Sequence, residues 1–133
     1  MTGFPLKIVT PEGLAFDGLA EELVVRTISG DLGIMARHVD CVAPLGMGEA
    51  MIVVDGQKKF AACIGGMVSV INGAVTLVPT TFEWAEEIDV ARAEASEKRA
   101  QAVLANKSAT DTELKLAKAR LRRALVRKNV RRL

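Results

Sequence analysis

Phe82–Ala105, FEWAEEIDVARAEASEKRAQAVLA, divides the chain into two kinds of sequence. All eleven glycines lie at or before Gly73, and all four prolines at or before Pro79. Beyond them Ala, Glu, Lys, Arg and Leu dominate without interruption. Glycine and proline punctuate turns, whereas alanine and straight-chain charged residues favour helix. Residues 1–85 therefore read as strands and turns and residues 86–133 as helix, an α+β chain with its two classes segregated.

The helical half resolves into two elements. The first is expected to start at Glu86 or Ile88 and run to Ala105, with Glu86, Glu87 and Asp89 at its positive end. Ala91, Ala95 and Ala102, with Val103 and Leu104, are read as its inward face. Asn106–Thr112 is a polar connector in which Thr110 and Glu113 have capping-box spacing. The second helix runs from about Asp111 to Arg131, with Leu114, Ala117, Leu121, Ala124 and Leu125 as its apolar stripe. A short connector predicts an antiparallel hairpin. At about 25 cal/mol per Å² an alanine seam contributes little per residue, so such a hairpin could open.

In the front half, apolar runs at Leu6–Thr10, Leu14–Phe16, Glu22–Ile28, Cys41–Leu45, Glu49–Val54, Lys58–Ile64, Met67–Ile71 and Ala74–Val78 read as short strands. Asp17-Gly18 reads as a turn and Ser29–Gly33 as a loop. Asp55-Gly56 and Asn72-Gly73 fit tight hairpin turns. Gly65-Gly66 marks a bulge or a close backbone approach. Short strands without intervening helices predict a sandwich or barrel.

Charge follows the same division. Residues 1–85 carry 9 acidic and 5 basic side chains; residues 86–133 carry 7 acidic and 13 basic. From Glu113 onward one acid faces nine bases. The back half is suited to an anionic partner: an acidic protein surface, a nucleotide, phospholipid or RNA. The acidic front and few aromatic residues argue against single-stranded RNA, which needs stacking platforms. The N-terminus has no signal-peptide pattern and no run of eighteen apolar residues occurs, so a soluble cytoplasmic protein is expected. Cys41 and Cys63 sit in apolar surroundings and read as buried free thiols.

Catalytic constellations are missing. His38 is the one histidine, and with two distant cysteines it makes no metal site. There is no nucleophile elbow and no Walker loop. Asp89, Arg92 and Arg99 fall on one face of the first helix, and Arg122 or Arg123 could return to its start. That set could clamp a nucleotide's phosphates, or form a salt-bridge network within the hairpin. Arg122, Arg123, Arg127, Lys128, Arg131 and Arg132 make a basic helix end that suits an acidic protein groove.

Three motifs, in order, carry a resemblance: Gly30-Asp31-Leu32-Gly33-Ile34 with His38, Gly65-Gly66-Met67-Val68-Ser69-Val70, and Ile88-Asp89-Val90-Ala91-Arg92-Ala93. The chain resembles the epsilon subunit of the bacterial F-type rotary ATP synthase, called delta in mitochondria. The resemblance implies a ten-stranded β-sandwich followed by a two-helix hairpin. It implies a non-catalytic central-stalk rotor subunit, peripheral on the cytoplasmic face of the membrane, that couples the catalytic head to the c-ring in proton- or sodium-driven ATP synthesis. The implied partners are gamma on one sandwich face and the c-ring at Asp31, Arg37 and His38. Membrane association is indirect, and nucleic acid is not a partner. The extended hairpin would meet the alpha and beta subunits through Arg122, Arg123, Arg127, Lys128 and Arg131 and inhibit ATP hydrolysis. The alternative is a nucleotide-sensing module that needs no cofactor but binds regulatory ATP at Glu83, Asp89, Arg92, Arg99 and Arg122.

Overall fold

Alternating apolar and polar residues build the front half strand by strand. The computed structural model describes residues 2–132, which form two compact units dividing after Trp84. The first unit holds β1 (Phe4–Thr10), β2 (Gly13–Ala20), β3 (Glu22–Thr27), β4 (Gly30–Ile34), β5 (Cys41–Pro44), β6 (Met47–Val54), β7 (Gln57–Ile71) and β8 (Ala74–Trp84). They make one mixed sheet in the order β2-β1-β8-β7-β6-β3-β4, with β5 also paired to β7. The parallel pairing of β1 with β8 brings the first and last strands together; the other pairings are antiparallel.

The long strand β7 organises this sheet. Its first half pairs with β6 and its second half with β5. Between them, Gly65 and Gly66 take φ of 69° and 100°. A Cβ on Gly66 would lie 2.0 Å from the Val78 carbonyl oxygen, so only glycine permits this approach. Leu6, Ile8, Leu23, Val25, Ile34, Ile52, Val68, Val70 and Leu77 point inward and form the core. Each such side chain contributes roughly 1.5–3 kcal/mol on burial. The sheet has eight strands rather than the ten expected, because Gln57–Ile71 and Ala74–Trp84 each run as one long strand.

The hairpin turns Asp55-Gly56 and Asn72-Gly73 have positive φ at both positions, as type I′ turns require. Two local readings are corrected. Asp17-Gly18 is not a turn but lies within β2, where Asp17 pairs with Lys7 and Gly18 with Leu6. Ser29–Gly33 is not a loop: only residues 28–29 turn, and Gly30–Ile34 pairs with Leu23–Thr27 as β4. Thr27 closes that turn by donating through Oγ1 to the Gly30 carbonyl at 2.7 Å and accepting from the Ser29 N–H at 3.1 Å. The glycines mislead because β4 is an edge strand, where a missing side chain costs little packing.

The second unit begins with a 3₁₀ turn, Ala85–Glu87, followed by α1 (Val90–Ala105) and α2 (Asp111–Arg131). The first helix thus starts later than expected. Asp89 is its N-cap, and its carboxylate accepts from the Arg92 N–H at 3.1 Å. The capping box of α2 is present: Thr110 Oγ1 accepts from the Glu113 N–H at 3.1 Å, and Glu113 Oε1 from the Thr110 N–H at 3.4 Å. The inward face of α1 is also corrected. Ala93 and Ala100 are buried, whereas Ala91, Ala95 and Ala102 are exposed. The stripe turned inward is Ala93 and Ala100, with half-buried Glu97 and Leu104 in line at steps of three and four residues. On α2, Ala117 and Ala124 are buried, Leu114 and Leu121 half-buried, and Leu125 exposed.

Candidate functional site

Three surfaces carry the residues that composition and motif single out. The first is a sheet face. Along the second half of β7, Val68 and Val70 point into the core, so Met67, Ser69 and Ile71 point out. Val42 lies opposite Ser69, Pro44 and Val78 opposite Met67, and Ala74 opposite Ile71. The outcome is an apolar face across β5, β7 and β8, with Val42 63% and Ile71 56% exposed. Contiguous exposed apolar residues of this kind mark an interaction surface. The sequence reading did not assign these residues, although the alternation around Val68 and Val70 carried the signal.

The second surface follows β4. Asp31 lies on β4, where its carboxylate pairs with Arg26 Nε across the hairpin at 2.8 Å. Arg37 and His38 lie in the loop after β4, beyond the opposite end of that strand. The loop is shaped by Arg37 at φ 67°, by a bond from the His38 N–H to the Met35 carbonyl, and by Asp40 Oδ1 accepting from the Asn72 N–H at 2.9 Å. His38 Nδ1 lies 2.8 Å from the Val39 carbonyl, which can only accept, so Nδ1 carries the proton. Exposed Met35 and Val39 flank the two basic side chains. The strand thus separates Asp31 from Arg37 and His38.

The third surface is helical. Arg92 and Arg99, seven residues apart, occupy one exposed stripe of α1; Arg122 is exposed on α2. The Asp89 carboxylate is engaged in capping α1. Glu83 lies on β8 in the first unit, opposite Ala62. On α2, Arg131 is exposed and Arg123 and Arg127 are half-buried. Lys128 is engaged: its Nζ lies 2.8 Å from Glu97 Oε2 on α1, with the two side chains only 20% and 17% exposed.

Among the described residues no group of three His, Cys, Asp or Glu side chains could hold a metal ion. Both cysteines are free, but only Cys63 is buried as expected, Cys41 being half-buried; burial pushes the Cys63 thiol up to about 12, far from a reactive thiolate. Among the described residues no helix is long and apolar enough to cross a membrane.

Comparison with known proteins accounts for both units. Residues 3–85 match the profile of the ATP synthase Delta/Epsilon chain β-sandwich domain, and residues 86–130 that of the Delta/Epsilon chain long α-helix domain. The ATP synthase epsilon chain of Bacillus velezensis is 42% identical over 125 residues, covering 94% of each chain. That of Ruminococcus albus is 40% identical over 131 residues, covering 98% of this chain and 97% of the relative. Among solved structures, a chain of the Euglena gracilis mitochondrial ATP synthase superposes with a TM-score of 0.85 over 97% of this chain and 81% of its own, at 19% identity. A chain from the Tetrahymena thermophila mitochondrial ATP synthase central stalk and c-ring superposes with a TM-score of 0.64 at 16% identity, covering 96% and 95%. These two structures establish the shared fold.

Proposed function

Because the chain belongs to the ATP synthase Delta/Epsilon chain family, we propose that it is a central-stalk rotor subunit coupling the catalytic head to the membrane c-ring, with its hairpin restraining ATP hydrolysis. The observation that carries this reading is the match of both units, in order, to the two halves of that family. It is a non-catalytic subunit, and its surfaces fit binding. The apolar face of Val42, Met67, Ile71 and Val78 is the docking surface for the gamma subunit. The loop carrying Arg37 and His38, with Asp31 on the adjoining strand, is assigned to the polar loops of the c-ring. This makes the subunit peripheral on the cytoplasmic face, its membrane association indirect. The bases of α2, Arg122, Arg123, Arg127, Lys128 and Arg131, are assigned to acidic surfaces of the alpha and beta subunits. Charge complementarity of this kind speeds association and fixes partner choice more than it adds affinity.

A second reading, regulatory ATP in the hairpin, is favoured by the paired exposure of Arg92 and Arg99 with Arg122 on the neighbouring helix. Two guanidinium groups on one stripe can each take a phosphate oxygen bidentately. Titrating ATP into the full chain tests it: saturable binding lost in Arg92→Ala supports it, and no binding at millimolar ATP rejects it.

The coupling role is tested by reconstituting a subunit-depleted complex in vesicles. The intact chain should restore proton- or sodium-driven ATP synthesis, and a chain carrying Met67→Glu and Val78→Glu should not. Equal restoration by both would reject the sheet face as the gamma contact.

A further inference from the structure

The hairpin seam repeats on both helices with the spacing of a coiled coil. On α1 it runs Ala93, Glu97, Ala100, Leu104; on α2 it runs Leu114, Ala117, Leu121, Ala124, Lys128. Steps of three and four residues keep such positions on one face. Ala93, Ala100, Ala117 and Ala124 are buried, and small alanine side chains remove little apolar surface from water. At the positions where both patterns call for an apolar residue stand Glu97 and Lys128. They meet at 2.8 Å, four-fifths buried. A charged pair in an otherwise apolar seam adds little net stability over an apolar pair. Loss of one partner, however, leaves an unpaired charge in the seam and is strongly unfavourable. Such a pair therefore selects one register and makes the closed state sensitive to whatever competes for either charge.

We propose that the Glu97–Lys128 ion pair is the latch of the hairpin, and that an acidic protein surface capturing Lys128 releases α2 from α1. Lys128 then serves two alternative partners: Glu97 in the closed hairpin and a partner carboxylate in the open one. The second part rests on the reading of α2 as the inhibitory arm; the latch itself does not. Glu97 acts as an internal competitor that keeps the basic arm closed until a denser acidic surface is in reach.

The test is a double-mutant cycle on the full chain, read by hydrogen exchange of α2 amides. Strand amides of β7 and β8 serve as the internal control for folding. Glu97→Met and Lys128→Met should each speed α2 exchange roughly tenfold while the strands stay protected. The double variant, with an apolar pair at the same positions, should return to within about threefold of the unchanged chain. Single variants without effect, or a double variant whose rate equals the product of the two singles, would overturn the latch. In the assembled complex, Glu97→Met should lower ATP hydrolysis because it frees the arm and leaves Lys128 in place. If the exchange cycle is obtained but hydrolysis does not move, the latch stands and the inhibitory reading of α2 fails instead.

Discussion

At Gly66 the chain tolerates no side chain, because the Val78 carbonyl and Pro79 Cα occupy the space a Cβ would need. Gly66→Ala should therefore cost about 2–4 kcal/mol by forcing the backbone of β7 from β8, seen as a lower denaturation midpoint. Unchanged stability would mean the strands separate there freely. Cys63 offers a second reading at this scale. Its thiol is held neutral by burial, pushed from 9.0 to about 12. The folded state binds the proton more tightly than the unfolded chain, so this contribution is complete below pH 9 and is lost as pH rises toward 12. Unfolding free energy should fall by up to ~1.4 kcal/mol per pH unit in that window. Cys63→Ala should remove this component of the slope. A slope unaltered by the substitution would assign it to other groups.

At the scale of elements, the helix ends and hairpin turns were legible because their chemistry is local. Thr110 and Glu113, Asp55-Gly56 and Asn72-Gly73 state their geometry within four residues of sequence. The start of α1 was not so clear. Glu86 and Glu87 have good helix propensity, yet they sit in or beside a 3₁₀ turn and the cap is Asp89. The buried face was misplaced for a separate reason: it is Ala93 and Ala100 rather than Ala91, Ala95 and Ala102, and alanine on both faces gives periodicity nothing to distinguish. Glu97 was unreadable for a related reason: only the return of α2 shows that Lys128 meets it. The cap yields a prediction. Asp89→Ala should cost about 1 kcal/mol of local helix stability and Asp89→Asn much less, measured by hydrogen exchange in the first turn of α1. Equal loss in both would show that the carboxylate charge, rather than the cap, is what matters there. For the candidate sites, the motif singled out Asp31 and His38, but their separation along β4 appeared only with the sheet register. The apolar face of Val42, Met67, Ile71 and Val78 needed three strands brought side by side.

Over the whole molecule, the two compact units carry opposite charge, net −4 in residues 1–85 (5 basic minus 9 acidic) and net +6 in residues 86–133 (13 basic minus 7 acidic). An arm of this charge acting on an acidic partner should lose grip as salt rises, because exposed charges are screened within about 10 Å at 0.1 M. Inhibition by the arm should therefore weaken several-fold between 50 and about 300 mM salt, while association through the apolar sheet face should be largely insensitive. The measurement that bears most directly on the division of labour is ATP hydrolysis by the assembled catalytic complex, with the intact chain and with one ending at Glu87. A rise in hydrolysis with assembly and ion-driven synthesis preserved is the predicted result, since the sandwich unit would still dock and the inhibitory arm would be gone. An unchanged rate with both chains fully assembled would contradict the account and leave the basic hairpin without a role on the catalytic head.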